Sequence, residues 1–63
     1  MSVYELNREQ LIQLKQNYIM EQNEADGKST YWSDLADADD IVTDEEIFGA
    51  YGGYAFTEDD FAA

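Results

Sequence analysis

With 63 residues, no cysteine and no histidine, the chain has room for one small core and lacks the side chains of disulfides and the usual zinc sites. Fifteen acids against three basic residues give a net charge of -12, a sign that repels nucleic acid and anionic membranes and attracts basic protein surfaces. One Trp, five Tyr and three Phe, within 44% hydrophobic residues, set it apart from a disordered acidic tail, which lacks the apolar surface to offset chain entropy.

The first element is announced by Leu6-Asn7-Arg8-Glu9-Gln10-Leu11, where Asn7 is a helix cap, Gln10 its capping-box partner and Leu6 with Leu11 a hydrophobic staple. Leu11, Leu14 and Tyr18 recur at helical spacing, widened by Ile12 and Ile19, while Gln13, Lys15, Gln16 and Asn17 take the other side. The pattern predicts a helix over about 8–23, stopped by a turn at 24–29 around Asp26-Gly27. The acidic half, 30–63, follows. A second helix, capped by Ser29 or Thr30, is expected through Trp32, Leu35, Ala36 and Asp39, with Trp32, Leu35 and Ala36 on one side. Thr43-Asp44-Glu45-Glu46 is a further capping box with a Val42 to Ile47 staple, predicting a helix over 44–51 that Gly52-Gly53 ends. The same pattern recurs at Phe56-Thr57-Glu58-Asp59-Asp60-Phe61, so a last helical turn is expected from Glu58. The fold class read from this is all-α: one small domain over 1–63, about three short helices and a short extended segment at 53–57.

The chemistry-bearing patterns mostly argue for what the chain is not. From Asp37, the calcium-loop positions 5, 6 and 12 fall on Ile41, Val42 and Phe48, so an EF-hand fails and no metal or cofactor is expected. Acid-base catalysis by paired carboxylates needs a desolvated pocket that so thin a core can hardly wall, and without His or Cys the nucleophiles reduce to Ser, Thr and Lys side chains with no base to activate them. A non-enzymatic binding role is therefore expected. All three cations lie in residues 1–28, beside Glu5, Glu9, Glu21, Glu24 and Asp26, whereas residues 29–63 hold ten acids and no cation. The candidate partner-binding residues are the carboxylates Asp34, Asp37, Asp39, Asp40, Asp44, Glu45, Glu58, Asp59 and Asp60, with Tyr54 and Phe56 as aromatic anchors, since aromatic residues are enriched at interface hot spots. Asp44, Glu45 and Glu46, like Glu58, Asp59 and Asp60, also suit helix N-termini electrostatically. Carboxylates at 34, 37, 40 and 44, at helical spacing, form a row comparable to phosphates along a backbone.

Leu-x-x-Glu-Gln-Leu-Ile-x-Leu-Lys-Gln-Asn-Tyr at 6–18, Asp-Leu-Ala-Asp-Ala-Asp at 34–39, Ile-Val-Thr-Asp-Glu-Glu-Ile-Phe at 41–48 and Asp-Asp-Phe near the end resemble small acidic uncharacterised proteins of phages and mobile elements in gut bacteria. By analogy with inhibitors of this size and charge, the resemblance implies an anti-CRISPR or anti-restriction protein in the cytoplasm of a bacterial host; it transfers no site residues. A cytoplasmic place also fits the lack of cysteine, of an apolar run near 18 residues and of a secretion signal in Met1-Ser2-Val3-Tyr4-Glu5. The expected partner is a basic surface, foremost that of a nucleic-acid-binding protein whose channel the acids would occupy. The alternatives are a regulatory or assembly module docking outside any such channel, and a homodimer that completes its core by association.

Overall fold

The Asn7 side chain sets the start of the first helix, α1, Arg8–Ala25, in the computed structural model, which describes residues 1–61. Asn7 Oδ1 accepts from the Gln10 N–H at 2.9 Å, and Gln10 Oε1 accepts from the Asn7 N–H at 3.0 Å. The reciprocal box satisfies two backbone donors that a helix start otherwise leaves unpaired. At the far end Gly27 adopts φ 70, and its N–H and that of Lys28 donate back to Glu24 O at 3.1 Å and Asn23 O at 2.8 Å. This double closure, which a left-handed glycine permits at little cost, carries α1 two residues beyond the expected end.

The expected second helix is broken into two. Helix α2, Trp32–Ala36, and helix α3, Ala38–Ile41, meet at Asp37, whose φ of -98 and ψ of 13 belong to neither. Neither Ser29 nor Thr30 caps α2: Tyr31 holds the cap position without a side-chain bond, while Thr30 Oγ1 accepts from Asn23 Nδ2 at 3.1 Å and fastens the connecting turn to α1. The shared side of Trp32, Leu35 and Ala36 does not form a buried face. Trp32 is 79% exposed and Ala36 exposed, and it is Ala38, on α3, that is fully buried. The reason is tertiary: α3 lies against α1, while Gln16 Nε2 reaches the end of α2 to donate to Leu35 O at 3.0 Å.

Helix α4, Asp44–Tyr51, begins on the predicted cap, with Thr43 Oγ1 accepting from the Glu46 N–H at 3.2 Å as one half of the expected box and the staple residues Val42 and Ile47 both buried. It does not end on a left-handed glycine. Gly52 is helical in conformation, with φ -59 and ψ -29, and a side chain there would place its Cβ 2.7 Å from the Phe48 carbonyl oxygen. The repeated pattern at 56–61 forms a 3-10 turn, Glu58–Phe61, in which the Thr57 N–H donates to Asp60 Oδ2 at 2.8 Å and the Phe56 and Phe61 rings lie 5.7 Å apart. Residues 54–57 are non-helical, and Phe56 exchanges two hydrogen bonds with Met1, its N–H donating to Met1 O at 2.7 Å and its O accepting from the Met1 nitrogen at 2.6 Å. No strand forms among the described residues, and the all-α class holds. A further 3-10 turn, Val3–Glu5, buries Val3 and is closed by Glu5 Oε2 accepting from the Ser2 N–H at 3.2 Å. Val3, Leu6, Leu11, Leu14, Val42, Ile47 and Phe56 make one core, edged by Tyr18, Ile19, Phe48, Tyr51 and Phe61.

Candidate protein-binding surface

The chain's few cations decide how its acids are displayed. Lys15, placed by periodicity on the polar side of α1, is 1% exposed, because α3 and the start of α4 cover that side. A buried ammonium is costly unless paired. Lys15 Nζ meets Asp39 Oδ1 and Asp44 Oδ1, each at 2.7 Å, and also donates to Asp39 O at 3.3 Å. Arg8 closes the cluster from outside, with Nη1 at 3.0 Å from Asp39 Oδ1 and at 3.2 Å from Asp44 Oδ1, and Nη2 at 3.3 Å from Asp44 Oδ2. Burial pulls the Lys15 ammonium down, but its bonds to the two aspartates outweigh that and hold it above its usual value. The hydrogen bond from Lys15 is the largest cause that holds the Asp39 and Asp44 carboxyls below the usual carboxylate range, and Arg8 adds to it.

Asp39 and Asp44, read from the sequence as partner-facing, are thereby occupied within the molecule, at 43% and 39% side-chain exposure. Phe56, read as an anchor, is taken into the core, since its position after Gly52-Gly53 turns it back onto Tyr51 and Phe61. The phosphate-like row is interrupted as well: the break at Asp37 separates Asp34 on α2 from Asp40 on α3, and Asp44 faces Lys15. Asp37, Asp40, Glu45, Glu58, Asp59 and Asp60 are exposed, and Asp34 is half-buried. Tyr54 is 53% exposed and stacks on the core, its ring 4.7 Å from that of Phe56 and 6.2 Å from that of Tyr51.

Two grooves flank α1. One, of about 320 Å³, is lined by Tyr18, Ile19, Ile41 and Val42 with Asp34 and Glu46 at its rim. The other, of about 210 Å³, has the aromatic rings of Tyr51, Tyr54, Phe56 and Phe61 with Glu21 and Asp60. Tyr51 is kept neutral there, burial first and then nearby Glu21 raising its hydroxyl, which approaches Glu21 Oε2 at 3.5 Å. Tyr31 and Trp32 stand exposed beside each other before and at the start of α2. No sequence signal separated these two from core aromatics, because a helix of five residues shows no readable period. Among the described residues no cluster of acids is arranged to hold a metal, and no helix is long and apolar enough to cross a membrane. No protein-family model matches the chain, and neither a curated protein nor a solved structure matches it significantly.

Proposed function

We propose that this chain is an acidic protein-binding inhibitor that mimics nucleic acid and occupies the basic channel of a nucleic-acid-binding defence protein, such as a CRISPR nuclease. One observation carries the reading: Arg8 and Lys15 are taken up by Asp39 and Asp44 in a neutral cluster, so the whole net charge of -12 belongs to the rest of the chain, whose one cation is Lys28. Duplex DNA offers one charge per about 1.7 Å of axis, and channels that bind it are lined by Lys and Arg. Exposed Asp37, Asp40, Glu45, Glu58 and Asp59 offer such a channel carboxylates without competing cations. The test begins with affinity capture of basic proteins from a bacterial lysate at low and high salt. Duplex DNA is then titrated into each purified complex. The inhibitor reading expects protein and DNA to exclude each other and the Asp37→Asn, Asp40→Asn, Glu45→Gln variant to associate more slowly with a weaker salt dependence. A stable ternary complex would retire it. One observation favours the alternative, a module docking outside any nucleic-acid channel: Trp32, 79% exposed beside exposed Tyr31, suits an apolar pocket rather than a phosphate site. Trp32→Ala that speeds dissociation while DNA still binds the complex selects that alternative.

A further inference from the structure

We propose that the groove between α1 and the C-terminal turn is a pocket for one arginine side chain of the partner protein. The inference rests on the reading that this chain binds a basic protein surface, and it names the side chain that one part of the surface takes. Tyr51, Tyr54 and Phe61 present aromatic rings to a groove of about 210 Å³ whose floor includes buried Phe56. Two carboxylates from separate elements, Glu21 of α1 and Asp60 of the C-terminal turn, line the same space, and no cation does.

The chemistry of the lining selects the occupant. An apolar side chain would cover the rings but would strip water from Glu21 and Asp60 without replacing its hydrogen bonds. A lysine ammonium would meet the carboxylates, but it is compact and strongly hydrated and leaves flat ring faces largely unused. A guanidinium serves both needs at once: its weakly hydrated planar faces stack on aromatic rings while its in-plane N–H groups reach carboxylates. The other groove beside α1 also has two carboxylates, Asp34 and Glu46, but it sets them beside Ile19, Ile41 and Val42 with a single ring, Tyr18, and so offers no set of ring faces for a guanidinium to stack on. A second copy of the chain is a poor source of the arginine, because Arg8 is its sole one and already holds Asp39 and Asp44. The arginine therefore belongs to a different, basic protein.

The probe is N-acetyl-arginine methylamide, titrated into the isolated protein while the ring signals of Tyr51, Tyr54 and Phe61 are followed by NMR, with the citrulline and lysine analogues as controls. The expected result is a saturable shift confined to those rings, with the neutral citrulline analogue at least about fivefold weaker and the lysine analogue between them. Tyr54→Ala and Glu21→Gln, both at exposed positions, should each weaken the arginine analogue about threefold while leaving the amide spectrum dispersed. Equal binding of citrulline, an unchanged affinity in Tyr54→Ala, or no localised shift would overturn the pocket. Because no partner is present, such a failure is distinct from a failure of the inhibitor reading, which the DNA exclusion experiment decides.

Discussion

Lys15 is the residue on which most of the tertiary arrangement turns, for among the described residues it is the only charged side chain in the core and it ties α3 and α4 to α1. Replacing it by Met keeps the volume but leaves Asp39 and Asp44 with Arg8 alone. We expect a loss of about 2 to 3 kcal/mol in urea unfolding, below that of a fully buried pair because the two aspartates remain partly hydrated. The same cluster fixes the sign of the pH dependence. Asp39 and Asp44 are depressed in the folded chain, so their stabilisation is present above the unfolded carboxyl value of about 3.9 and is lost as pH falls through it toward the depressed values. Lys15 is raised, so its contribution is present below about 10.4 and is lost as pH rises beyond it. With no histidine to titrate between them, melting temperature should be level from about pH 6 to about pH 7. Subtracting the profile of Asp44→Asn from that of the native chain isolates the acid limb from the relief of repulsion elsewhere. An acid limb unchanged in Asp44→Asn would remove the cluster from this account. At Gly27, whose φ of 70 disfavours any side chain, substitution by Ala should cost about 1 to 2 kcal/mol although nothing crowds the position.

The elements differ in how much of their stability is local. Helix α4 starts on the Thr43 hydroxyl, and Thr43→Ala should cost about 1 kcal/mol by thermal melting. The matching Thr57→Ala should cost less, because at the second copy of the pattern it is the Asp60 carboxylate that accepts from the Thr57 backbone, and the hydroxyl lies 3.5 Å away. Helix α1, capped at both ends, depends on packing as well. Leu14, buried at the junction of α1 with the aromatic cluster, should lose about 2 to 5 kcal/mol on truncation to Ala, enough to unfold so small a domain. A native-like circular dichroism melt of Leu14→Ala would show the core to be elsewhere. The N-terminal turn went unread: Ser2-Val3-Tyr4-Glu5 has the spacing of a capping box, but a turn of three residues shows no helical period to go with it.

Across the whole molecule, repulsion among the unpaired acids opposes the compact state, and salt screens exposed charges more than the pairs around buried Lys15. Melting temperature should therefore rise between about 20 mM and about 500 mM salt, where the Debye length contracts from tens of ångströms to a few. A steady fall over that range would mean that the Arg8 and Lys15 pairs outweigh the repulsion. The same field should make association with a basic partner fast and salt-sensitive, while residence time depends on exposed rings such as Tyr54 and Trp32 rather than on charge.

The sequence by itself determined what is set within a few residues of the chain. Side chains at fixed offsets satisfy local backbone groups in the same way wherever the segment lies, so the start of α1 at Asn7, the start of α4 at Thr43, the turn at Gly27 and the repeat at Thr57 were all legible. Only the tertiary structure decided which polar residues are inward and which aromatic ones outward. Lys15 looked solvated until two aspartates 24 and 29 positions away met it, Trp32 could not be told from a core aromatic until the fold left it 79% exposed, and Phe56 looked like an anchor until Met1 and Phe61 closed around it. Such pairings join residues far apart in the chain, where no period or cap connects them. They form because a charge or ring leaving water must find its partner in whatever the fold brings near.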